Sequence, residues 1–325
     1  MSASTTGTAG GAGGTPVNAG GAGGPRRVTI GDVTPSSLPP LRFGTRAPAA
    51  DRALVMAIVN RTPDSFYDRG ATFAESDALA AVDAAVAEGA DIVDIGGVKA
   101  GPGSTVDAEE EISRVVPFVA TVRARYPDLL ISVDTWRAEV GRLACEEGAD
   151  ILNDTWAGAD PKLAEVAAEF GVGVVCSHTG GAVPRTRPHR VSYPDLVGEV
   201  ISDLTEQAEH MLALGVPREG ILIDPTHDFG KNTWHGLELL RRCGELVATG
   251  WPVLMALSHK DFIGETLGVT LTERGEGTLA ATALAAAAGA RVFRAHDVAE
   301  TRRTVDMVAS ILGTRPPAGC VRGLA

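Results

Sequence analysis

The sequence predicts one α/β domain folded as a (β/α)8 TIM barrel, and three observations lead there. From residue 54 onward, short apolar β-branched runs alternate with longer Ala-, Leu- and Glu-rich stretches of helical period, which is the pattern of repeated βα units on a parallel sheet. Eight such units follow one another, and eight sequential parallel strands favour a closed barrel over an open doubly wound sheet. The segment 51–315 also has the length of about 250 residues that one barrel needs.

In chain order, strands are read at Leu54–Val59, Asp91–Ile95, Leu130–Asp134, Ile151–Asn153, Val172–Ser177, Ile221–Asp224, Val253–Leu257 and Val292–Arg294. Each is almost continuously apolar, as burial on both faces of a parallel sheet requires. Between them the helical period predicts helices over 76–88, 107–125, 136–147, 161–170, 195–214, 234–248, 274–288 and 299–312. Several begin behind an Asp or Ser in a capping position. Several end at a Gly followed directly by the next strand, as in EGADIVDI, EGADILND, EFGVGVVC and AAGARVFRA, where Gly takes the left-handed conformation that stops a helix.

The flanks and the composition exclude several classes. Residues 1–50, dominated by Gly, Ala, Thr, Ser and Pro, carry too little apolar surface to offset their ordering entropy and read as a disordered tail; residues 316–325 read as a short C-terminal tail. No apolar run reaches the ~18 residues of a membrane span, and no segment resembles a signal peptide. Arg26 and Arg27 are the only basic residues among the first 40, too few for a transit peptide, so a cytoplasmic protein is expected. The formal charge of −12, from 41 acidic against 29 basic residues, repels phosphate backbones, which argues against a nucleic-acid partner. Cys145, Cys176, Cys243 and Cys320 lie far apart without CxxC spacing, so neither a metal knuckle nor a disulfide framework is expected.

In such barrels chemistry gathers at the C-terminal ends of the strands, and nearly every end here is polar. Strand 1 runs into Asn60-Arg61-Thr62-Pro63-Asp64-Ser65-Phe66-Tyr67-Asp68, a lid-like loop carrying amide, carboxylate, hydroxyl and aromatic groups. Strands 3, 4 and 6 end at Asp134, Asn153-Asp154 and Asp224, converging acceptors that suit a heterocycle with N–H donors. Each Asp alone could as well cap the following helix. Strands 7 and 8 deliver Ser258-His259-Lys260 and Arg294-Ala295-His296, donors and cations that suit an anionic leaving group or a carbonyl oxygen. The plainer alternative for Lys260 and Arg294 is an ion pair with a rim carboxylate. His178 and His227 stand without HxH or HExxH spacing, so a protein-held zinc is not expected.

The segments MAIVNRTPDSFYDRGATF, DIVDIGG, ISVDTWRAEV, GADILNDTWAG, ILIDPTHDFGK, VLMALSHKDFIGETL and GTLAATALAAAAGARVFRAHDV, in this order over residues 54–312, resemble the dihydropteroate synthase family. The resemblance implies a homodimeric barrel of folate synthesis that joins 6-hydroxymethyl-dihydropterin diphosphate to p-aminobenzoate with loss of diphosphate, Mg2+ accompanying the diphosphate. It implies a pterin pocket of Asp134, Asn153, Asp224 and Lys260, with the Lys260 ammonium facing the ring carbonyl. It further implies that Asn60 assists the metal and that Arg294 with His296 holds the departing diphosphate, making Lys260, Arg294 and His296 the catalytic set. No protein nucleophile is needed; positioning and anion stabilisation do the work.

The departures fall mainly on the side of the second substrate, an aromatic amine, where Arg61, Thr62, Asp64, Phe66, Lys99, Gly101 and Asp261 are placed. The family pattern Gly-Gly-Glu-Ser-Thr-Arg-Pro-Gly is here Gly96-Gly97-Val98-Lys99-Ala100-Gly101-Pro102-Gly103, so Gly101 stands where a bidentate anion clamp is expected. Ser-Arg-Lys-Ser-Phe is here Ser258-His259-Lys260-Asp261-Phe262, and a carboxylate within about 5 Å of a docking carboxylate repels it. Arg61 replaces a Val, and Thr226-His227-Asp228 replaces a Gly-Ile-Gly-like stretch. The pattern reads as a paralogue with its pterin pocket kept and its synthase activity weak or lost. Its competitors are a working synthase with unusual loops, a pterin-binding protein using a different second substrate, a folate-dependent methyltransferase, and a purely structural dimer.

Overall fold

The computed structural model describes residues 40–62, 74–103, 105–186 and 192–322. Eight parallel strands, β1 (Leu54–Asn60), β2 (Ile92–Gly96), β3 (Leu130–Asp134), β4 (Ile151–Asp154), β5 (Gly173–Ser177), β6 (Ile221–Asp224), β7 (Leu254–Met255) and β8 (Val292–Ala295), run in the order β6-β5-β4-β3-β2-β1-β8-β7. A parallel bridge between Ile223 and Val253 closes the ring, with the Ile223 amide donating to Pro252 O at 2.9 Å. The predicted (β/α)8 barrel is therefore the fold.

Alternation along each strand divides the core in two, since successive strand side chains face opposite ways. Leu54, Met56, Ile92, Leu130, Ile151, Val175, Leu222, Leu254 and Val292 fill the barrel. Val55, Ala57, Val93, Ile95, Ile131, Val133 and Phe293 pack outward on the helices. Residues near 40–46, expected to belong to the tail, are instead part of the barrel. Leu41 and Phe43 are buried in its inner cluster, and a Cβ at Gly173 would approach Phe43 to 2.5 Å. The Arg42 amide donates to Glu219 O at 3.0 Å, and Arg46 pairs with Asp150 at 2.5 Å. An aromatic plug of this kind costs about 3–5 kcal/mol to truncate.

The helices are α1 (Glu75–Ala87), α2 (Ala108–Arg125), α3 (Ala138–Glu146), α4 (Lys162–Phe170), α5 (Leu196–Leu214), α6 (Thr233–Arg241), α7 (Cys243–Val247), α8 (Asp261–Leu267), α9 (Gly275–Ala287) and α10 (Val298–Ile311). Asp107 and Asp195 cap α2 and α5 by accepting from the amides of Glu110 and Gly198, and Gly171 and Gly215 end α4 and α5 at φ +64° and +105°. Three expectations change. The single helix over 234–248 is split at Arg242 (φ −106°) into α6 and α7. Strand 7 shortens to two residues, Leu254–Met255, and the chain then turns at His259 (φ +54°). The unexpected α8 follows that turn at once. Among the described residues no helix is long and apolar enough to cross a membrane. Cys145, Cys176 and Cys243 are buried thiols and Cys320 is exposed.

Candidate functional site

Above the apolar layer the same inward strand positions turn polar. Asp94 on β2 is fully buried; it accepts from Ser132 Oγ at 2.6 Å, Asn153 Nδ2 at 3.1 Å and Arg294 Nε at 2.6 Å. Arg294 reaches on through Nη2 to Asp134 Oδ2 at 2.8 Å, and Thr155 Oγ1 donates to Asp134 Oδ1 at 2.5 Å. Burial works against the Arg294 charge, but Asp94 and Asp134 outweigh it and keep the guanidinium protonated. Burial raises Asp134 to about 6, against the pull of Arg294. Asp94 is the functional residue that sequence reasoning missed. Its signal was a carboxylate at an inward position of an otherwise apolar strand.

Over this network opens a cleft of about 340 Å³ at the C-terminal ends of the strands. Asn60, Thr62, Lys99, Gly101, Asp134, Lys260, Asp261, Arg294 and His296 line it, together with Asp228, Phe229 and Ser258. Asn153 and Asp224 are not on that wall. Asn153 turns inward to Asp94, and Asp224 is 6% exposed and accepts from the Thr226 amide at 2.7 Å. Burial raises Asp224 to about 6. Arg61, placed by the sequence on the second-substrate side, faces away: its guanidinium lies 4.9 Å from the Phe118 ring centroid and donates to Arg114 O. Asp64 and Phe66 lie outside the described residues.

The cations at the mouth are not bare. Lys260, expected to face a ring carbonyl, is ion-paired with Asp228, and Arg294 is held by two carboxylates. The ion-pair alternative therefore describes both residues as they stand. Asp261 is paired with Arg274 at 2.8 Å, so its charge is not the unopposed one the sequence implied. His259, also on the cleft wall, is engaged by Asp297, Nε2 to Oδ2 2.6 Å. His296 Nδ1 lies 3.1 Å from Ser258 Oγ; burial, then Arg294 and Lys260, keep it neutral at ordinary pH. Beneath the rim, the buried Lys231 ammonium bonds His178 Nδ1 and the carbonyls of His178, Thr226 and Phe229 at 2.9–3.0 Å. Burial lowers it to about 7. It ties down a loop in which Thr226 adopts φ +47°, a strained conformation for a β-branched residue.

As for a metal, no group of three or more His, Cys, Asp or Glu gathers among the described residues. Asn60 and Asp134 flank Gly96, where a Cβ would lie 3.8 Å from Asn60 Oδ1 and 3.5 Å from Asp134 Cβ. This sparse all-oxygen set does not make a closed cage. It fits a hard cation that keeps most of its ligands from a bound phosphate.

The family described as pterin binding enzyme matches residues 56–296. The chain belongs to this family. Within the pterin-binding enzymes it is 68% identical over 284 residues to a protein of Mycobacterium leprae named "Inactive dihydropteroate synthase 2", covering 86% of this chain and 98% of that protein. It is 38% identical over 262 residues to the dihydropteroate synthase of Escherichia coli, covering 80% and 92%. A solved Yersinia pestis dihydropteroate synthase with a sulfonamide drug complex superposes with a TM-score of 0.80 at 33% identity, covering 84% and 99%. The chain is thus a divergent paralogue of dihydropteroate synthase.

Proposed function

We propose that this barrel keeps a cleft for a pterin-type heterocycle but does not make dihydropteroate. The observation that carries the reading is the β2–α2 loop. Val98, Lys99, Ala100 and Gly101 form that side of the cleft, and none of them supplies the guanidinium fork that holds an anion in two places at once. An ammonium at Lys99 is a point charge and does not replace it. The name of the M. leprae relative supports the same reading. Asn60, Arg294 and His296 still line one wall, so a pterin diphosphate would enter with Mg2+, Asn60 lending the ion one amide oxygen. An aromatic amine would meet the altered side, where the loss of the fork works against it. The chain is further proposed to act as a cytoplasmic homodimer.

The direct test monitors diphosphate release from 6-hydroxymethyl-dihydropterin diphosphate with Mg2+ and p-aminobenzoate, alongside calorimetric titration of the diphosphate. Binding without release is the expected outcome. Release at a rate comparable with a working synthase would overturn the proposal, and so would failure to bind.

A further inference from the structure

We propose that the pair Lys260–Asp228 makes the cleft selective for fused heterocycles carrying an amino group, rather than a carbonyl, on the edge that meets it. The proposal rests on the reading that the cleft takes a pteridine-type ring. Its own ground is local. Asp228 and Lys260 both line the cleft and both are partly exposed to it. Among the described residues only Lys260 is hydrogen-bonded to the Asp228 carboxylate. The next residue, Phe229, lines the same cleft and is propped by Trp156 in an edge contact at 4.6 Å, offering a face on which a flat ring stacks.

A lone ammonium is a donor only, and it reads two adjacent acceptors, as a carbonyl beside a ring nitrogen provides. An ammonium joined to a carboxylate reads a donor beside an acceptor. The same logic lets a lysine read the O6/N7 edge of guanine and an amide the N6/N7 edge of adenine. With its O4/N5 edge turned to the pair, pterin presents its 4-oxo oxygen next to N5, two acceptors, so one of them faces the Asp228 carboxylate unless the ion pair is broken. In 2,4-diaminopteridine the 4-amino group donates to Asp228 while N5 accepts from Lys260, and the ion pair stays intact. Asp228 occupies a position where the family pattern has Gly, which offers no side chain at all. The selectivity is therefore a property of this chain's substitution.

The experiment is calorimetric titration of the full-length protein with pterin and with 2,4-diaminopteridine, neither carrying phosphate. It is repeated on Asp228→Ala and on Lys260→Ala after thermal melting has shown both variants folded. The wild type is expected to bind the diamino ring about tenfold or more tightly than pterin, the ordinary effect of one mismatched hydrogen bond to a charged group. Asp228→Ala is expected to reverse or abolish the preference, and Lys260→Ala to weaken both ligands. Equal affinities in the wild type, a preference for pterin, an unchanged ratio in Asp228→Ala, or no binding of either ring would each overturn the proposal. Diphosphate release is not part of this readout, so a synthase activity found in the earlier assay leaves the selectivity standing or falling on its own.

Discussion

His227 gains little from its surroundings. It is 3% exposed and stacked on Phe262 at 5.5 Å, and among the described residues neither ring nitrogen has a hydrogen-bond partner. A buried polar group left so costs about 1–3 kcal/mol. Burial first, then Lys231 and Lys260, pull its pKa down from 6.5 to about 3. The folded state therefore keeps His227 neutral where the unfolded chain takes up a proton, and stability falls as pH drops from 6.5 towards 3, by at most about 1.4 kcal/mol per pH unit. Asp134, Asp154 and Asp224, each raised chiefly by burial to about 6, act the other way. They hold protons in the folded state that the unfolded chain has released, and their contribution fades as pH rises from about 4 through 6. The two effects oppose each other in the wild-type profile, so the test is a difference. His227→Phe, which restores an apolar side chain, should gain stability over the wild type progressively as pH falls from 7 to 4.5, read from denaturant midpoints. Parallel profiles for the two proteins would mean that His227 does not titrate as its burial dictates.

At the scale of elements, the β2–α2 loop and the start of α8 both line the cleft and carry the positions expected on the second-substrate side. Asp261 at the head of α8 is offset by Arg274, whereas among the described residues nothing at Gly101 stands in for the absent guanidinium. Of the two changes that bring this side back to the family pattern, Gly101→Arg should therefore do more than Asp261→Ser. The double variant is expected to bind p-aminobenzoate or a sulfonamide mimic about tenfold more tightly than the wild type, with most of the gain already in the Gly101→Arg single variant. Titration of all three variants decides it; no gain in the double variant would remove the loop as the cause of poor binding. These elements also show what the sequence could and could not reveal. Eight strands were legible because burial on both faces leaves an apolar run, and the cleft residues because polar groups end such runs. The α6–α7 break falls at Arg242, and the Gly beside it, Gly244, lies inside α7, so it does not mark the break as a helix stop. Asp94 sat unassigned inside DIVDIGG. The Lys260–Asp228 and Asp261–Arg274 pairings join residues 32 and 13 positions apart, and no local period encodes such contacts.

The whole molecule presents one more feature that the barrel does not use. Leu284 on α9 and Met307 and Ile311 on α10 are 61–66% exposed, and these two helices pack side by side. Helices in this fold start at the cleft mouth and run towards the opposite end of the barrel. All three residues lie in the later halves of their helices, towards the end remote from the cleft mouth. A second copy covering this face buries it without obstructing ligand entry, which is the arrangement a homodimer with two working mouths needs. The formal charge of −12 repels like copies, and screening by salt relieves that repulsion. Association should therefore strengthen between low and physiological ionic strength. In analytical ultracentrifugation the wild type is expected at twice the 33.5 kDa chain mass. Leu284→Glu combined with Met307→Glu is expected at the monomer mass, with an unchanged circular dichroism spectrum. Because none of these residues lines the cleft, the monomeric variant should still bind the preferred pteridine as the wild type does. If it remained dimeric, a different face would join the copies; if it lost the ligand, the dimer would be part of the site.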